Sequence, residues 1–243
     1  MSVRNAAVAG ARRILRRFDA KLVRDRPMRD PVRLAVLKGH ALGAKTIIDV
    51  GANVGQFASE TFAAGWQGGI VSFEPIKQNH EELTRAAAAL NGRWTVAAPM
   101  ALGAASGETE INVSENMVSS SLLPVGAAST DVLPSTRYLR TETIAVRRLD
   151  DVLEPALPGP FVIKTDTQGF DLEVLKGSPE TLKNTKVLMI EMILAPLYEG
   201  GCRFGDLFNF CEDAGFRCIA LTEGFADYDR DEVLQVDGVF VRD

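Results

Sequence analysis

The sequence predicts a doubly wound α/β fold, in which helices cover both faces of a mostly parallel sheet. Short, β-branched, apolar segments alternate with segments of helical periodicity along most of the 243 residues. Several of these apolar segments lack polar alternation, which is typical of strands buried on both faces. With 46% hydrophobic residues, the chain can bury the core of one domain. We therefore expect a single domain over residues 31–243, preceded by a separate basic segment over residues 1–30.

The predicted elements alternate between strand and helix. Nine segments are predicted as strands: residues 46–52, 69–75, 94–102, 109–114, 141–149, 160–167, 186–193, 217–222 and 236–242. Six are predicted as helices: residues 31–43, 54–64, 76–91, 170–176, 178–184 and 204–215. Residues 103–140 differ, because Gly, Ser, Thr and Pro are frequent there and only one short strand is clear. We expect this long connection to be a loop or lid that shapes an acceptor site.

The first thirty residues carry nine Arg or Lys and three Asp, whereas the whole chain has a net charge of −5. Their apolar residues form one helical stripe: Val8, Ala11, Leu15, Phe18 and Leu22. One interpretation is a helix that packs on the domain or on a second subunit, giving a homodimer. Another is a peripheral contact with an anionic membrane surface.

Cysteine usage and hydropathy bear on the compartment. The three cysteines, Cys202, Cys211 and Cys218, have spacings that match no zinc or redox pattern, so we expect free thiols in a reducing cytoplasm. No apolar run reaches the roughly 18–20 residues of a membrane span. The acidic balance outside residues 1–30 argues against nucleic acid as the main partner. These features predict a cytoplasmic protein, with peripheral membrane contact as an additional hypothesis.

Two consecutive predicted strands end in groups that suit a nucleoside. TIIDV (46–50) runs into Gly51 and Gly55, where glycine permits a tight turn and a close approach of the next helix. The start of that helix presents free N–H groups to the crevice beyond the strand. In IVSFEP (70–75), Glu74 is at the end of the strand, 25 residues after Asp49. A carboxylate at this place can accept hydrogen bonds from ribose hydroxyls.

Two alternative nucleotide sites lack their signatures. The dinucleotide fingerprint G-x-G-x-x-G is absent, because the turn reads GANVG, and so is the phosphate loop G-x-x-x-x-G-K-[ST]. A nicotinamide-dependent oxidoreductase is therefore disfavoured. The pattern D-x-G-x-x-x-G, followed by a strand-ending Glu, instead resembles class I S-adenosylmethionine (SAM) methyltransferases.

Further motifs resemble one family of these enzymes, the FkbM-type methyltransferases. They occur in order as IDVGANVGQFA (48–58), VSFEPIKQNHEEL (71–83), ALG (101–103), VRRLDDVL (146–153), VIKTDTQGFDLEVLKG (162–177) and MIEM (189–192). The most specific block is the fifth, which departs from the family's usual pattern at Asp171, where Glu is commoner. The resemblance implies a Rossmann-like fold with seven strands, mostly parallel, and an antiparallel C-terminal strand.

The resemblance also implies SAM as methyl donor, S-adenosylhomocysteine (SAH) as product and O-methylation of a hydroxyl, often on a sugar or polyketide. In such enzymes the aspartate lies near the amino acid moiety, directly or through water, and the glutamate binds the ribose. Ala101 and Leu102, at the expected end of the third strand, would flank the adenine. The residues carried over as cofactor-binding are Asp49, Gly51, Asn53, Gly55, Glu74, Pro75, Ala101 and Leu102.

The chemistry of methyl transfer points to a second set of residues. Lys164, Asp166 and Gln168 have the period-2 spacing of one strand face, and Glu191 ends the following strand. Asp166, or less readily Glu191, could be the general base. Alternatively, both carboxylates and a third oxygen ligand could hold Mg²⁺, which we do not favour. They could also form a buried ion-pair network with Lys164 and take no part in chemistry.

Other candidates are weaker. His40 is an alternative catalytic base, since the helix before the first strand can fold over a cofactor. Ser121 lies in a Ser-Leu stretch that in similar proteins is close to the site. Ser121, Gln168 and Tyr198 are the candidate substrate residues.

Two functional hypotheses remain open. The first is a SAM-dependent O-methyltransferase acting on a sugar hydroxyl of a glycoconjugate, a glycolipid or a secondary metabolite; a lipid-linked acceptor would suit the basic segment. The second is a non-catalytic protein with the same fold that docks partners through its N-terminal helix. The intact cofactor residues Asp49, Gly51, Gly55 and Glu74 weigh against the second.

Overall fold

The computed structural model describes residues 26–90 and 92–243. In this part of the chain the strands are β1 (Thr46–Val50), β2 (Gly69–Phe73), β3 (Trp94–Val96), β4 (Ala101–Leu102), β5 (Gly107–Ser114), β6 (Tyr138–Arg147), β7 (Phe161–Thr165), β8 (Thr185–Ile193), β9 (Arg217–Glu223), β10 (Ala226–Asp227), β11 (Glu232–Val233) and β12 (Gln235–Val241). The helices are α1 (Pro31–Ala41), α2 (Gln56–Ala63), α3 (Lys77–Ala88), α4 (Ala127–Val132), α5 (Leu149–Val152), α6 (Asp171–Lys176), α7 (Pro179–Lys183) and α8 (Phe204–Asp213).

A seven-stranded sheet of order β3-β2-β1-β7-β8-β12-β9 forms the centre of the molecule. β1 pairs in parallel with β2 and β7, and β7 pairs in parallel with β8. β12 is antiparallel to both of its neighbours, β8 and β9. The predicted fold class, a mostly parallel doubly wound sheet with an antiparallel C-terminal strand, is confirmed.

Alternate residues of the central strands pack on opposite faces of the sheet. Ile47, Val162 and Val187 belong to the hydrophobic core under α1, α2 and α3, while their neighbours Ile48, Ile163 and Leu188 belong to the core on the other face. Because both faces are covered, the central strands are mostly apolar, as expected for a parallel sheet, and the buried charged residues Asp49 and Lys164 interrupt β1 and β7 near their carboxyl ends. The carboxyl ends of β1, β2, β7 and β8 therefore meet at one edge, which positions the site.

The predicted strand 94–102 is broken in two. β3 ends at Val96, and Ala101 and Leu102 form β4, which pairs with β6 in a second sheet of order β4-β6-β5. The expectation that these two residues end the third central strand is therefore wrong. Pairing with β6, which lies some forty residues further along the chain, determines their position.

Residues 103–140 contain more regular structure than predicted. β5 is eight residues long and forms an antiparallel ladder with β6, and α4 and a 3₁₀ turn at Pro134–Thr136 follow. An antiparallel β-bridge joins Asn112 of β5 to Ser121, which lies between β5 and α4. The segment is thus anchored on the second sheet.

The apolar stripe predicted for the basic segment, from Val8 to Leu22, lies outside the described residues, so the homodimer and membrane hypotheses stay predictions. The described end of the segment holds a 3₁₀ turn at Pro27–Arg29. Asp30 then caps α1, since its carboxylate accepts a hydrogen bond from the Arg33 N–H at 2.9 Å. Among the described helices, none has both the length and the apolar character needed to cross a bilayer.

Candidate active site

A cavity of about 510 Å³ opens at the carboxyl edge of β1, β2 and β7. Its lining comes from the glycine turn after β1, the residues after β2 and β7, the start of α1, β4, and residues 117–122. This size is within the roughly 300–1,000 Å³ of small-molecule sites. The predicted crevice beyond the strand ends is therefore a real cavity of this fold.

The turn after β1 has a geometry that requires glycine. Gly51 has φ +71°, and a Cβ there would lie 1.9 Å from the carbonyl oxygen of Asp166. Gly55 has φ +96°, and a Cβ there would lie 2.4 Å from the ring of Trp94. Gly51 and Asn53 line the cavity, whereas Gly55 lets α2 pack closely on β3. The tight turn and the close helix approach predicted for the two glycines are both present.

Glu74 lies at the cavity wall directly after β2, with only 4% of its surface exposed. Its Oε2 accepts a hydrogen bond from the Asn53 N–H at 2.9 Å, and its Oε1 accepts one from the Ile76 N–H at 3.0 Å. Burial raises the pKa of Glu74 to about 7, against the opposing effect of these two hydrogen bonds. Each oxygen keeps a further acceptor site for a ligand. Pro75 also lines the cavity.

Asp49 is fully buried beneath the cavity. Its carboxylate accepts a hydrogen bond from the Ser72 hydroxyl at 2.8 Å and lies 3.3 Å from Nζ of Lys164. A direct contact with a cofactor is therefore not available to this side chain. Its influence on the turn passes through Lys164, whose ammonium donates to the carbonyl oxygens of Gly51 (2.8 Å) and Val50 (3.2 Å).

Lys164 is buried and has a carboxylate partner, as the sequence predicts. Burial alone would lower the pKa of its ammonium, but the charges of Asp49 and Asp166 outweigh this effect and raise it. The ammonium also lies 5.5 Å from the centre of the Phe57 ring. Lys164 therefore stays protonated at neutral pH and supports the glycine turn as a cation.

Asp166 is the more accessible of the two predicted carboxylates. Its side chain is 37% exposed and lines the cavity. Its Oδ1 accepts a hydrogen bond from Nε2 of Gln168 at 2.7 Å, and its Oδ2 is 3.9 Å from Nζ of Lys164. One oxygen of Asp166 can thus face a ligand while Gln168 holds the other.

Glu191 is buried behind Asp166. Gln168 Nε2 lies 3.0 and 2.9 Å from its two oxygens, and Gln235 Nε2 also donates to it. Burial, and then the charges of Asp166 and Asp171, raise the pKa of Glu191 well above its ordinary value. Burial therefore disfavours the ionised form of Glu191, and its position behind Asp166 makes it the less accessible of the two carboxylates.

Asp171 begins α6, as predicted, but it is buried. Its Oδ1 accepts a hydrogen bond from the Thr167 N–H at 3.2 Å, and burial raises its pKa to about 6. Among the described residues, no group of three His, Cys, Asp or Glu side chains could hold a metal ion. The Mg²⁺ hypothesis for Asp166 and Glu191 therefore stays a prediction that needs an oxygen ligand of another kind.

The three candidate substrate residues form a chain of contacts around Gln168. The Ser121 hydroxyl donates to the carbonyl oxygen of Gln168 at 2.8 Å, and both residues line the cavity. The Tyr198 hydroxyl donates to Oε1 of Gln168 from the buried side. Burial raises the pKa of Tyr198 further above its ordinary value. Tyr198 is therefore placed to hold Gln168, and the cavity surface is formed by Gln168 and Ser121.

His40 is not brought to the cavity. It lies at the far end of α1, where it is exposed, hydrogen-bonded at 3.3 Å to the carbonyl oxygen of Gly65 and in contact with the tilted ring of Trp66. Gly65 precedes β2, at the amino edge of the sheet. The prediction of His40 as a catalytic base is therefore wrong. The start of α1, with Asp30 and Pro31, lines the cavity, whereas the end of this helix does not.

Asp237 of β12 also lines the cavity, although sequence reasoning missed it. It is an isolated acid in the apolar run VDGVFV, where no motif marks it. The available signal was the direction of the strand: an antiparallel β12 starts at the carboxyl edge. An apolar wall completes the cavity beside β4, which includes Met100, Ala101, Leu102, Ile111, Leu122 and Phe170.

Comparisons with known proteins find methyltransferases. The chain is similar in structure to magnesium protoporphyrin IX methyltransferase from Synechocystis PCC 6803, with 13% identity, a TM-score of 0.47 and coverage of 89% of this chain and 80% of that chain. It is similar to precorrin-6y C5,15-methyltransferase from Geobacter metallireducens GS-15, with 13% identity, a TM-score of 0.46 and coverage of 91% and 90%. Similarities at this level carry no information about substrate.

Among curated proteins, the chain is similar to the hexuronic acid methyltransferase AglP of Haloferax volcanii, with 26% identity over 145 residues. The match spans 59% of this chain and 54% of the relative, so the chain covers about half the length of the curated relative that it matches. The model of the methyltransferase FkbM domain matches residues 49–218, which include the glycine turn, Glu74 and the Asp166–Glu191 cluster. The chain therefore belongs to the FkbM-domain methyltransferase family.

Proposed function

We propose that the protein is a SAM-dependent O-methyltransferase that acts on a sugar hydroxyl of a glycoconjugate, a glycolipid or a secondary metabolite. The observation that carries the proposal is that Gly51, Glu74 and Asp166 line one and the same cavity. Family membership supports methyl transfer, and the hexuronic acid methyltransferase relative supports a sugar-type acceptor.

Gly51, Asn53, Glu74 and the apolar wall of the cavity fit the groups of SAM. Glu74 can accept hydrogen bonds from ribose hydroxyls, because two backbone N–H groups and the Asn79 side chain leave part of the acceptor capacity of its carboxylate free. Gly51 and Asn53 would hold the amino acid moiety at the turn, and the apolar wall around Ala101 and Leu102 would take the adenine. When bound, SAM supplies an electrophilic methyl group on a sulfonium ion.

Asp166, Gln168 and Lys164 would position the acceptor hydroxyl and supply a base. Asp166 would accept the proton of the acceptor hydroxyl while the hydroxyl oxygen bonds to the methyl carbon and the bond between that carbon and the donor sulfur breaks, which releases SAH. This base adds to the benefit of holding the reactants in line. Gln168 keeps the Asp166 carboxylate in place through a 2.7 Å hydrogen bond. The Lys164 ammonium lies 3.9 Å from the Asp166 carboxylate and gives it a second charged contact that helps to position it.

The test combines binding with turnover. We expect SAM and SAH to bind in calorimetry, and Asp166→Asn to lower turnover with labelled SAM by roughly 10²–10⁴-fold while SAH affinity is unchanged. Asp213→Asn, an exposed carboxylate on α8, is the matched control and should behave like the unchanged protein.

Three outcomes would redirect the proposal. Absence of SAM and SAH binding would favour a non-catalytic interaction protein, and full activity of Asp166→Asn would return this carboxylate to a structural role. Turnover that stops when EDTA is added would point to the Mg²⁺ alternative.

A further inference from the structure

Asp237 lies on the same face and at the same edge of the sheet as the residues of the proposed chemistry. It pairs in register with Glu191, and Asp49 pairs with Lys164 two strands away. Its strand neighbour on this face, Val239, packs in the core under α1 with Met189. The Asp237 carboxylate is therefore directed towards the cavity between β12 and the start of α1, whose lining includes Asp237, Met189 and Pro31.

Apart from Glu60, which is exposed on α2, the other carboxylates in and behind this cavity have partners in the protein. Two backbone N–H groups hold Glu74, and Gln168 holds Asp166. Glu191 accepts from Gln168 and Gln235, and the Arg33 N–H binds Asp30.

Asp237 differs, because within residues 26–90 and 92–243 its side chain forms no hydrogen bond or ion pair. The carboxylate is nevertheless partly buried, and burial raises its pKa to about 6. Leaving such a group without a donor costs free energy unless a ligand or water supplies one.

The described cavity lining does not contain a free cation for Asp237. Lys164 is the only basic residue of that lining, and its ammonium is engaged by Asp49 and by the carbonyl oxygens of Val50 and Gly51. A donor for Asp237 must then come from the contents of the cavity.

We propose that Asp237 is the acceptor-binding residue of the enzyme: it accepts a hydrogen bond from a second hydroxyl of the acceptor whose first hydroxyl loses its proton to Asp166. The acceptor class that this selects is an uncharged polyol, such as a neutral sugar. A sugar that carries a carboxylate at this place would meet Asp237 and Asp166 with no free cation in the described lining to compensate. The inference rests on the proposed function and departs from the hexuronic acid of the curated relative.

The probes are 4-nitrophenyl β-glucoside and 4-nitrophenyl β-glucuronide, which differ only by a hydroxymethyl group in place of a carboxylate. Binding to the SAH-loaded full chain is measured by saturation-transfer-difference NMR titration, and turnover of each glycoside is measured with labelled SAM. We expect the glucoside to bind about 10–100-fold more tightly than the glucuronide, the range for hydrogen bonds to a charged group. In Asp237→Asn this preference should shrink to about threefold or less, with SAH affinity unchanged and the melting temperature at least as high as that of the unchanged protein. Asp213→Asn should keep the full preference.

Several results would overturn the assignment. These are equal or tighter binding of the glucuronide, an unchanged preference in Asp237→Asn, or binding of neither glycoside to the SAH-loaded protein. Weaker SAH binding in Asp237→Asn would assign this residue to the cofactor instead. Failure of the unchanged protein to bind SAH would be distinct from these results, because it would overturn the methyltransferase proposal and the acceptor assignment together.

Discussion

At the scale of single residues, Glu74 combines burial with the ribose-binding role that we propose for it, so its protonation state can be tested by measuring SAH affinity. Its pKa is raised to about 7 by burial, so a substantial fraction is protonated near neutral pH. The ionised form accepts ribose hydrogen bonds at both oxygens, whereas a proton occupies one acceptor site. SAH affinity should therefore fall as pH decreases through 7, by up to about tenfold per pH unit.

The control for this prediction is Glu74→Gln, which cannot titrate. Calorimetry at pH 6, 7 and 8 should give weaker binding for Glu74→Gln at pH 8 and convergence of the two proteins at pH 6. The amino group of SAH titrates in both proteins, so only their difference reports on Glu74. A difference that stays constant over this range would show that the ribose is bound elsewhere.

The residues that sequence reasoning finds are those whose position follows from a local pattern. Glu74 and Asp166 each follow a strand directly, so the carboxyl edge is their only location in a parallel sheet. Asp49 is the last residue but one of β1. Its carboxylate lies against Lys164, a partner that is more than a hundred residues away in the sequence and that no local pattern identifies. Asp237 depends on the direction of β12, which is a property of the topology and has no local signature.

At the scale of elements, the turn between β1 and α2 can be tested with a matched pair of glycines. Gly51 and Gly43 have φ values of +71° and +75°, so alanine causes similar backbone strain at both. A Cβ at Gly43 meets nothing within 4 Å, whereas at Gly51 it would lie 1.9 Å from the Asp166 carbonyl oxygen. Gly43→Ala should cost about 1 kcal/mol of unfolding free energy. Gly51→Ala should cost more and also weaken SAH binding.

Urea denaturation and SAH calorimetry of the two variants check this prediction. Equal losses of stability, with SAH affinity preserved in both, would mean that the turn can move away from β7 without consequence. The comparison separates the close approach of two backbones from the strain of a left-handed residue, which both variants share.

Element prediction succeeds where local periodicity and burial agree. β1 and β7 are mostly apolar and are buried at every position, and their predicted ranges overlap the observed strands. It fails for residues 94–102, because no local pattern shows that the chain leaves β3 at Val96 and joins β6 five residues later. The same non-local pairing explains why residues 103–140, rich in turn-forming residues, hold the long strand β5.

At the scale of the whole molecule, the site concentrates carboxyl groups that are raised in pKa by burial. Glu74 has a pKa of about 7, Asp171 and Asp237 of about 6, and Glu191 one well above its ordinary value. One buried ammonium, that of Lys164, lies among them. The cavity is thus organised for ligands that donate hydrogen bonds, at a cost to the stability of the empty protein that depends on pH.

The sign of this dependence follows from linkage. Because these carboxyl groups bind protons more tightly in the folded state than in the unfolded state, their contribution is fully present below their ordinary pKa and is lost as pH rises through 6 to 7. The free energy of unfolding of the ligand-free protein should therefore decrease between pH 6 and pH 8, by on the order of 2 kcal/mol. The pH range of this prediction, from 6 to 8, lies above the sequence pI of about 5.2. Urea denaturation at pH 6, 7 and 8 measures it, and Glu74→Gln should flatten the dependence. Stability that increases with pH would contradict the raised pKa values and the burial that causes them.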